Sequence, residues 1–94
     1  MIKLFKIEGD SLYPFFKNGQ RVLCIKTFKL VKLNVGDFVV FYKKEYGLMV
    51  KKIKYIYQDN VYLEGTTPMS IDSRNFGTVS LSEIKYKLFS SLKF

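Results

Sequence analysis

Two side chains in this 94-residue sequence have types and settings that could do chemistry together. Ser11 lies in Gly9-Asp10-Ser11-Leu12-Tyr13-Pro14, and Lys51 lies in Met49-Val50-Lys51-Lys52-Ile53. A serine hydroxyl is a weak nucleophile until a neighbouring base takes its proton. The chain contains no histidine, so the base has to be another group, and lysine is the strongest candidate. A lysine acts as a base only when neutral, which requires a pKa well below its ordinary value of about 10.4. Burial among apolar groups does this by penalising the charged form. Gly9 lets the chain turn sharply and lets a substrate backbone approach, and Pro14 fixes the exit from the loop. Such a loop presents a hydroxyl beside backbone amides that can stabilise an oxyanion. The same residues are ordinary turn formers, so the Ser11 segment by itself reads first as a turn. An exposed strand lysine is likewise the ordinary state of any lysine.

The elements that must hold this pair are short. Turns are marked at Gly9, Pro14, Gly19, Gly36, Gly47, Gly65, Pro68 and Gly77, and the runs between them are rich in Val, Ile, Tyr and Phe. This spacing predicts an all-β domain, with strands over 3–7, 20–25, 38–42, 49–57, 61–64, 78–79 and 83–88. The Lys-Lys-Glu-Tyr-Gly segment makes a hairpin of 38–42 and 49–57, and Asp59-Asn60 turns the chain into 61–64. One short helical turn is expected over 12–17, beside an Asp-Ser cap. In an unbulged strand, Met49, Lys51 and Ile53 share one face and Val50, Lys52 and Lys54 the other. The Met-Lys-Ile face, with Phe41 from the preceding strand, can partly bury a lysine. The face with two more lysines belongs to solvent. Alternation therefore selects Lys51, not Lys52, as the lysine in an unusual environment.

Composition limits the alternatives. The chain makes one domain over 1–94, with 48% hydrophobic and 17% aromatic residues, which supports a core and argues against disorder. The single cysteine, Cys24, sits in an apolar run and reads as a small buried hydrophobe. One cysteine and no histidine leave no transition-metal set, and the aspartates have no calcium-loop spacing, so no cofactor is expected. No run approaches the roughly 18–20 apolar residues of a membrane span, and the N-terminus is charged too early for a signal-peptide core. A cytoplasmic location is expected, without transmembrane segment or signal peptide. The net charge of +8 favours anionic partners. Only Arg21 and Arg74 are arginines, whereas base readers lean on arginine's bidentate fork, so nucleic acid is not the expected partner. The tail, Ser90-Ser91-Leu92-Lys93-Phe94, and the Phe15-Phe16 pair leave peripheral contact with an anionic membrane surface open.

Five segments together resemble the type I signal peptidase and LexA-type peptidase clan. Gly9-Asp10-Ser11-Leu12-Tyr13-Pro14 is similar to its Gly-x-Ser-Met-x-Pro box. Asn18-Gly19-Gln20-Arg21-Val22-Leu23 is similar to its Gly-Asp-x-Val-Leu step, and Gly36-Asp37-Phe38-Val39-Val40-Phe41 to its Gly-Asp-x-Val-Val-Phe strand. Val50-Lys51-Lys52-Ile53 resembles its Val-Lys-Arg-Ile strand. The run from Ser70 to Val79 resembles the Ser-x-Asp-Ser-Arg-x-Phe-Gly-x-Val box of the signal peptidase branch. The resemblance spans nearly the whole chain, in the right order. It implies the LexA and signal peptidase fold, with Ser11 as nucleophile and Lys51 as general base. It further implies that Ser70 orients the lysine amine by a hydrogen bond, that Asp72 and Arg74 form a bracing ion pair, and that the Ser11 amide serves the oxyanion hole. Gly9, Asp10, Leu12 and Pro14 are expected beside the substrate.

The departures are specific. Leu12 replaces a methionine, Gln20 an aspartate and Lys52 an arginine. Gly9 stands where some signal peptidases have a serine that donates to the oxyanion. Glu64-Gly65-Thr66-Thr67-Pro68 replaces the more usual Gly-Asp-Asn. The membrane anchors and large inserted domain of many signal peptidases and the DNA-binding domain of LexA-type repressors are not expected, and no Ala-Gly or Cys-Gly bond offers a self-cleavage site. The expectation is a Ser-Lys endopeptidase that takes an extended peptide along a strand edge, with small residues before the cleaved bond, and removes a leader from a protein substrate. Two alternatives stay open: a catalytically inactive binding module of the same fold, and a basic β domain that binds single-stranded nucleic acid.

Overall fold

The computed structural model describes residues 1–9, 11–27 and 32–92. The β-rich runs become seven strands: β1 (Ile2–Lys6), β2 (Arg21–Lys26), β3 (Phe38–Lys43), β4 (Gly47–Tyr57), β5 (Asn60–Glu64), β6 (Val79–Ser80) and β7 (Ile84–Leu92). All pair antiparallel in one sheet of order β1-β2-β7-β3-β4-β5-β6. The domain is all-β and compact, with a radius of gyration of 12.3 Å. The last strand, β7, inserts between β2 and β3 and so joins the two halves of the sheet. It meets both neighbours with register shifts, as expected where a strand bends between two surfaces.

Alternation along β3 explains why the sheet carries two cores. Val39 and Phe41 pack with Ile53, Val61, Leu63, Val79 and Ile84. Val40, of opposite parity, packs with Ile7, Leu12, Phe16, Val22 and Cys24. Val39, Val40 and Phe41 are all fully buried, so β3 is covered on both faces. The second core is closed by the segment from Ile7 to Gln20, whose ends are tied by Ile7 N donating to Gln20 O at 2.7 Å and Gly19 N donating to Ile7 O at 2.7 Å. Cys24 is buried there, and burial pushes its thiol up to about 11, which leaves it protonated and unreactive.

The structure corrects three local expectations. Residues 12–17 form turns rather than a helix. One helix-type bond, Phe16 N to Leu12 O at 3.1 Å, brings Leu12 and Phe16 to the core, and the Tyr13–Pro14 peptide is cis. The β4–β5 turn is Gln58-Asp59, one residue earlier than expected, because Asn60 already pairs with Tyr57. Gln58 takes the left-handed conformation that this tight turn needs (φ 54°). The Val50-Lys52-Lys54 face of β4 is not simply solvent. Val50 packs on the second core, and the Lys52 ammonium sits 5.4 Å from the Phe15 ring centroid, because the 7–20 segment covers that face. Among the described residues no helix is long and apolar enough to cross a membrane.

Candidate active site

Ser11 and Lys51 line one cleft of about 690 Å³. Its walls come from the end of β1 and the Ser11 loop, from the start of β4, and from the segment between β5 and the short helix α1 (Ser73–Phe76). Lys51 lies opposite Val39, and its neighbours of the same parity, Met49 and Ile53, belong to the first core. The register shift on β4 falls between Ile53 and Tyr55, beyond Lys51, so the alternation that selected Lys51 holds where it matters. Lys51 is 4% exposed. Burial pulls its amine below the ordinary lysine value; the Asp72 charge opposes that shift and the Arg74 charge adds to it. Among the described residues, neither Lys51 Nζ nor Ser11 Oγ makes a side-chain hydrogen bond.

The Ser11 loop has its own supports. Gly9 holds φ at 84°, in the region that favours glycine, and its amide donates to Asn18 Oδ1 at 2.9 Å. Leu12 lines the cleft and anchors the loop in the second core. Gly9 and Pro14 shape the loop and are not among the residues that line the cleft. Asp10 lies outside the described residues.

Asp72 organises the other wall. Its Oδ1 accepts from Arg74 Nε at 2.9 Å and Arg74 N at 3.0 Å, and its Oδ2 accepts from Gly65 N at 2.9 Å and Ser70 Oγ at 3.0 Å. Burial alone would raise this carboxyl, but the bonds from Arg74, Gly65 and Ser70 outweigh it and bring the pKa to about 2. The expected Asp72–Arg74 ion pair is therefore present. The hydrogen bond that Arg74 donates to Asp72 also raises the Arg74 pKa. Asp72 caps α1 as well: Asp72 N donates to Asn75 Oδ1 at 3.1 Å, completing a capping box. Ser70 lines the cleft with Ser11 and Lys51. Its hydroxyl donates to Asp72 and accepts from Arg74 Nη2 at 3.2 Å, instead of meeting the lysine amine. Asp72 takes its one proton and Arg74 one of its acceptor positions.

Three residues of the site escaped the sequence reading. Ser73 is buried and its Oγ accepts from Leu63 N at 2.8 Å, fastening α1 to β5. A Cβ placed on Gly65 would collide with Ser70 Oγ and come within 2.8 Å of Ser11 O, so only glycine lets the two walls approach this closely. Thr66 N donates to Ser11 O at 2.6 Å, and Thr66 Oγ1 reaches Tyr13 O and, at 3.1 Å, Ser11 O. The signal for Gly65 and Thr66 was the departure at 64–68, which carried no hint of its partner some 55 residues away. Among the described residues no group of His, Cys, Asp and Glu could hold a metal ion. No protein-family model matches the chain, and no curated protein is similar to it.

Proposed function

We propose that the chain is a serine endopeptidase with a Ser-Lys dyad, of the signal peptidase and LexA-like fold, which cleaves a leader or signal-type segment from a protein substrate. The observation that carries this reading is a nearly fully buried lysine with a lowered pKa on the wall of the cleft that Ser11 lines, in a chain without histidine. Neutral Lys51 takes the Ser11 proton as Oγ attacks the scissile carbonyl carbon. The carbonyl oxygen becomes an oxyanion, for which the Ser11 amide is the assigned donor. The C–N bond then breaks, and the Lys51 ammonium gives its proton to the leaving amine. Water, deprotonated by the again-neutral Lys51, hydrolyses the acyl ester and frees Ser11. Apolar side chains around the cleft, among them Ile7, Leu12, Leu48 and Met49, suit an extended peptide with uncharged side chains. We place the enzyme in the cytoplasm, free or peripheral to a membrane.

N-terminal profiling of cells that express the wild type, Ser11→Ala or Lys51→Ala tests this. New protein N-termini appear with the wild type and with neither variant. Identical profiles from three folded proteins would remove the protease reading. A binding module with a silent site is the second reading. It is favoured by the missing hydrogen bond between Ser11 Oγ and Lys51 Nζ and by the engagement of Ser70 with Asp72. It predicts that Ser11→Ala keeps full function.

A further inference from the structure

Thr66 grips the nucleophile loop from behind the cleft. Its amide holds Ser11 O at 2.6 Å. Its hydroxyl has one proton to give and stands closer to Tyr13 O than to Ser11 O, so it serves Tyr13. Two carbonyls two residues apart are thus tied to one residue, and the Ser11–Leu12 and Tyr13–Pro14 peptide units cannot swing independently. The direction of the Ser11 Cα–Cβ bond follows from that backbone, so the clamp fixes where Oγ can go. Thr66 is placed by its neighbour: Gly65 has no Cβ to hold the walls apart, and Gly65 N is bonded to Asp72 Oδ2 at 2.9 Å. A continuous chain of bonds runs from the Asp72–Arg74 pair through Gly65 and Thr66 to Ser11.

We infer that Thr66 is a positioning residue, whose hydroxyl holds the Ser11 loop so that Oγ faces the Lys51 amine; this rests on the Ser-Lys reading above. The alternative is a contact that only stabilises the fold, and the two differ in what they change. The test follows acylation of Ser11 by a short-chain p-nitrophenyl ester, read as p-nitrophenol release and as acyl mass on the Ser11 peptide. The wild type is compared with Thr66→Val, Thr66→Ala, Thr66→Ser and the Ser11→Ala control, with thermal unfolding measured beside each. Val keeps the shape and the amide bond and loses only the hydroxyl, and Ala keeps the comparison intact if Val does not fold. Loss of the hydroxyl is expected to slow acylation about 10- to 100-fold, the scale of a small misplacement of a reacting group. The half-saturating ester concentration and the midpoint of the pH profile stay unchanged, and Thr66→Ser restores most of the rate. A folded Thr66→Val or Thr66→Ala that acylates at the wild-type rate, or loses rate only through weaker ester binding, overturns the role of Thr66 and leaves the dyad standing. A wild type that is not acylated at Ser11 overturns the Ser-Lys reading, and the role of Thr66 falls with it.

Discussion

Asp72 and Lys51 are both ionisable and both nearly fully buried, and the fold treats them in opposite ways. Asp72 receives four hydrogen bonds and an ion-pair partner, and its pKa falls to about 2. Among the described residues Lys51 makes no side-chain hydrogen bond, and burial lowers its pKa against the opposing charge of Asp72. A satisfied buried charge fixes structure; burial that penalises the charged form of an amine makes its proton easier to lose. Ser70 stands between the two walls and sides with the carboxylate. Burial is offset by hydrogen bonds at Asp72 and left to lower the pKa at Lys51.

The sharpest way to break this contrast is Lys51→Met. It removes the proposed base and should lower turnover by about 10²–10⁴-fold, the usual range for a general acid-base group. The same change should raise Tm by a few degrees near neutral pH, since it relieves a desolvated amine. A fall in both activity and Tm would mean that Lys51 is a structural ion like Asp72. Next in size, Gly65→Ala pushes a Cβ against Ser70 and Ser11 O and should cost about 100-fold in turnover with little change in substrate affinity. A variant with wild-type kcat would show that the two walls are less tightly joined than their geometry implies.

Asp72 contributes through pH. Its folded pKa of about 2 lies below the ordinary carboxylate value of 3.8, so its stabilisation is fully present above pH 3.8 and lost as pH falls through the folded value. The shift corresponds to about 2 kcal/mol. Thermal unfolding of the wild type should therefore lose stability between about pH 4 and pH 2, and Asp72→Asn should flatten that part of the curve. Lys51 has the reverse signature. Its folded pKa lies below the unfolded one, so the unfolded chain binds more protons in the interval between them, and stability rises with pH there. The smallest effect is at Gln58, far from both. Its left-handed backbone suits glycine, so Gln58→Gly should raise stability by about 0.5–1 kcal/mol, without any change in activity.

Much of the frame was legible because β-strands and turns are local. All seven strands fall within a few residues of their expected places, and the period-two pattern alone separated Lys51 from Lys52. The capping box was also readable in principle, since Asp72 and Asn75 are three residues apart, but the box resemblance drew attention to the ion pair instead of to a helix. What stayed hidden was long-range. Nothing near Gly65 or Thr66 in sequence announces that they meet Ser11, whereas the partners of the Ser70 hydroxyl, Asp72 and Arg74, are only two and four residues away. The face carrying Lys52 looked solvated because the segment that covers it is distant in the chain.

The proposed dyad rests on a Lys51 amine whose pKa burial holds below the ordinary lysine value. Its most direct test is a pH titration of the Lys51 side-chain 13Cε resonance by NMR, assigned with Lys51→Met and repeated in Ser11→Ala. The expected midpoint lies clearly below the ordinary lysine value of about 10.4 in both proteins. A Lys51 resonance that titrates at that ordinary value would contradict it.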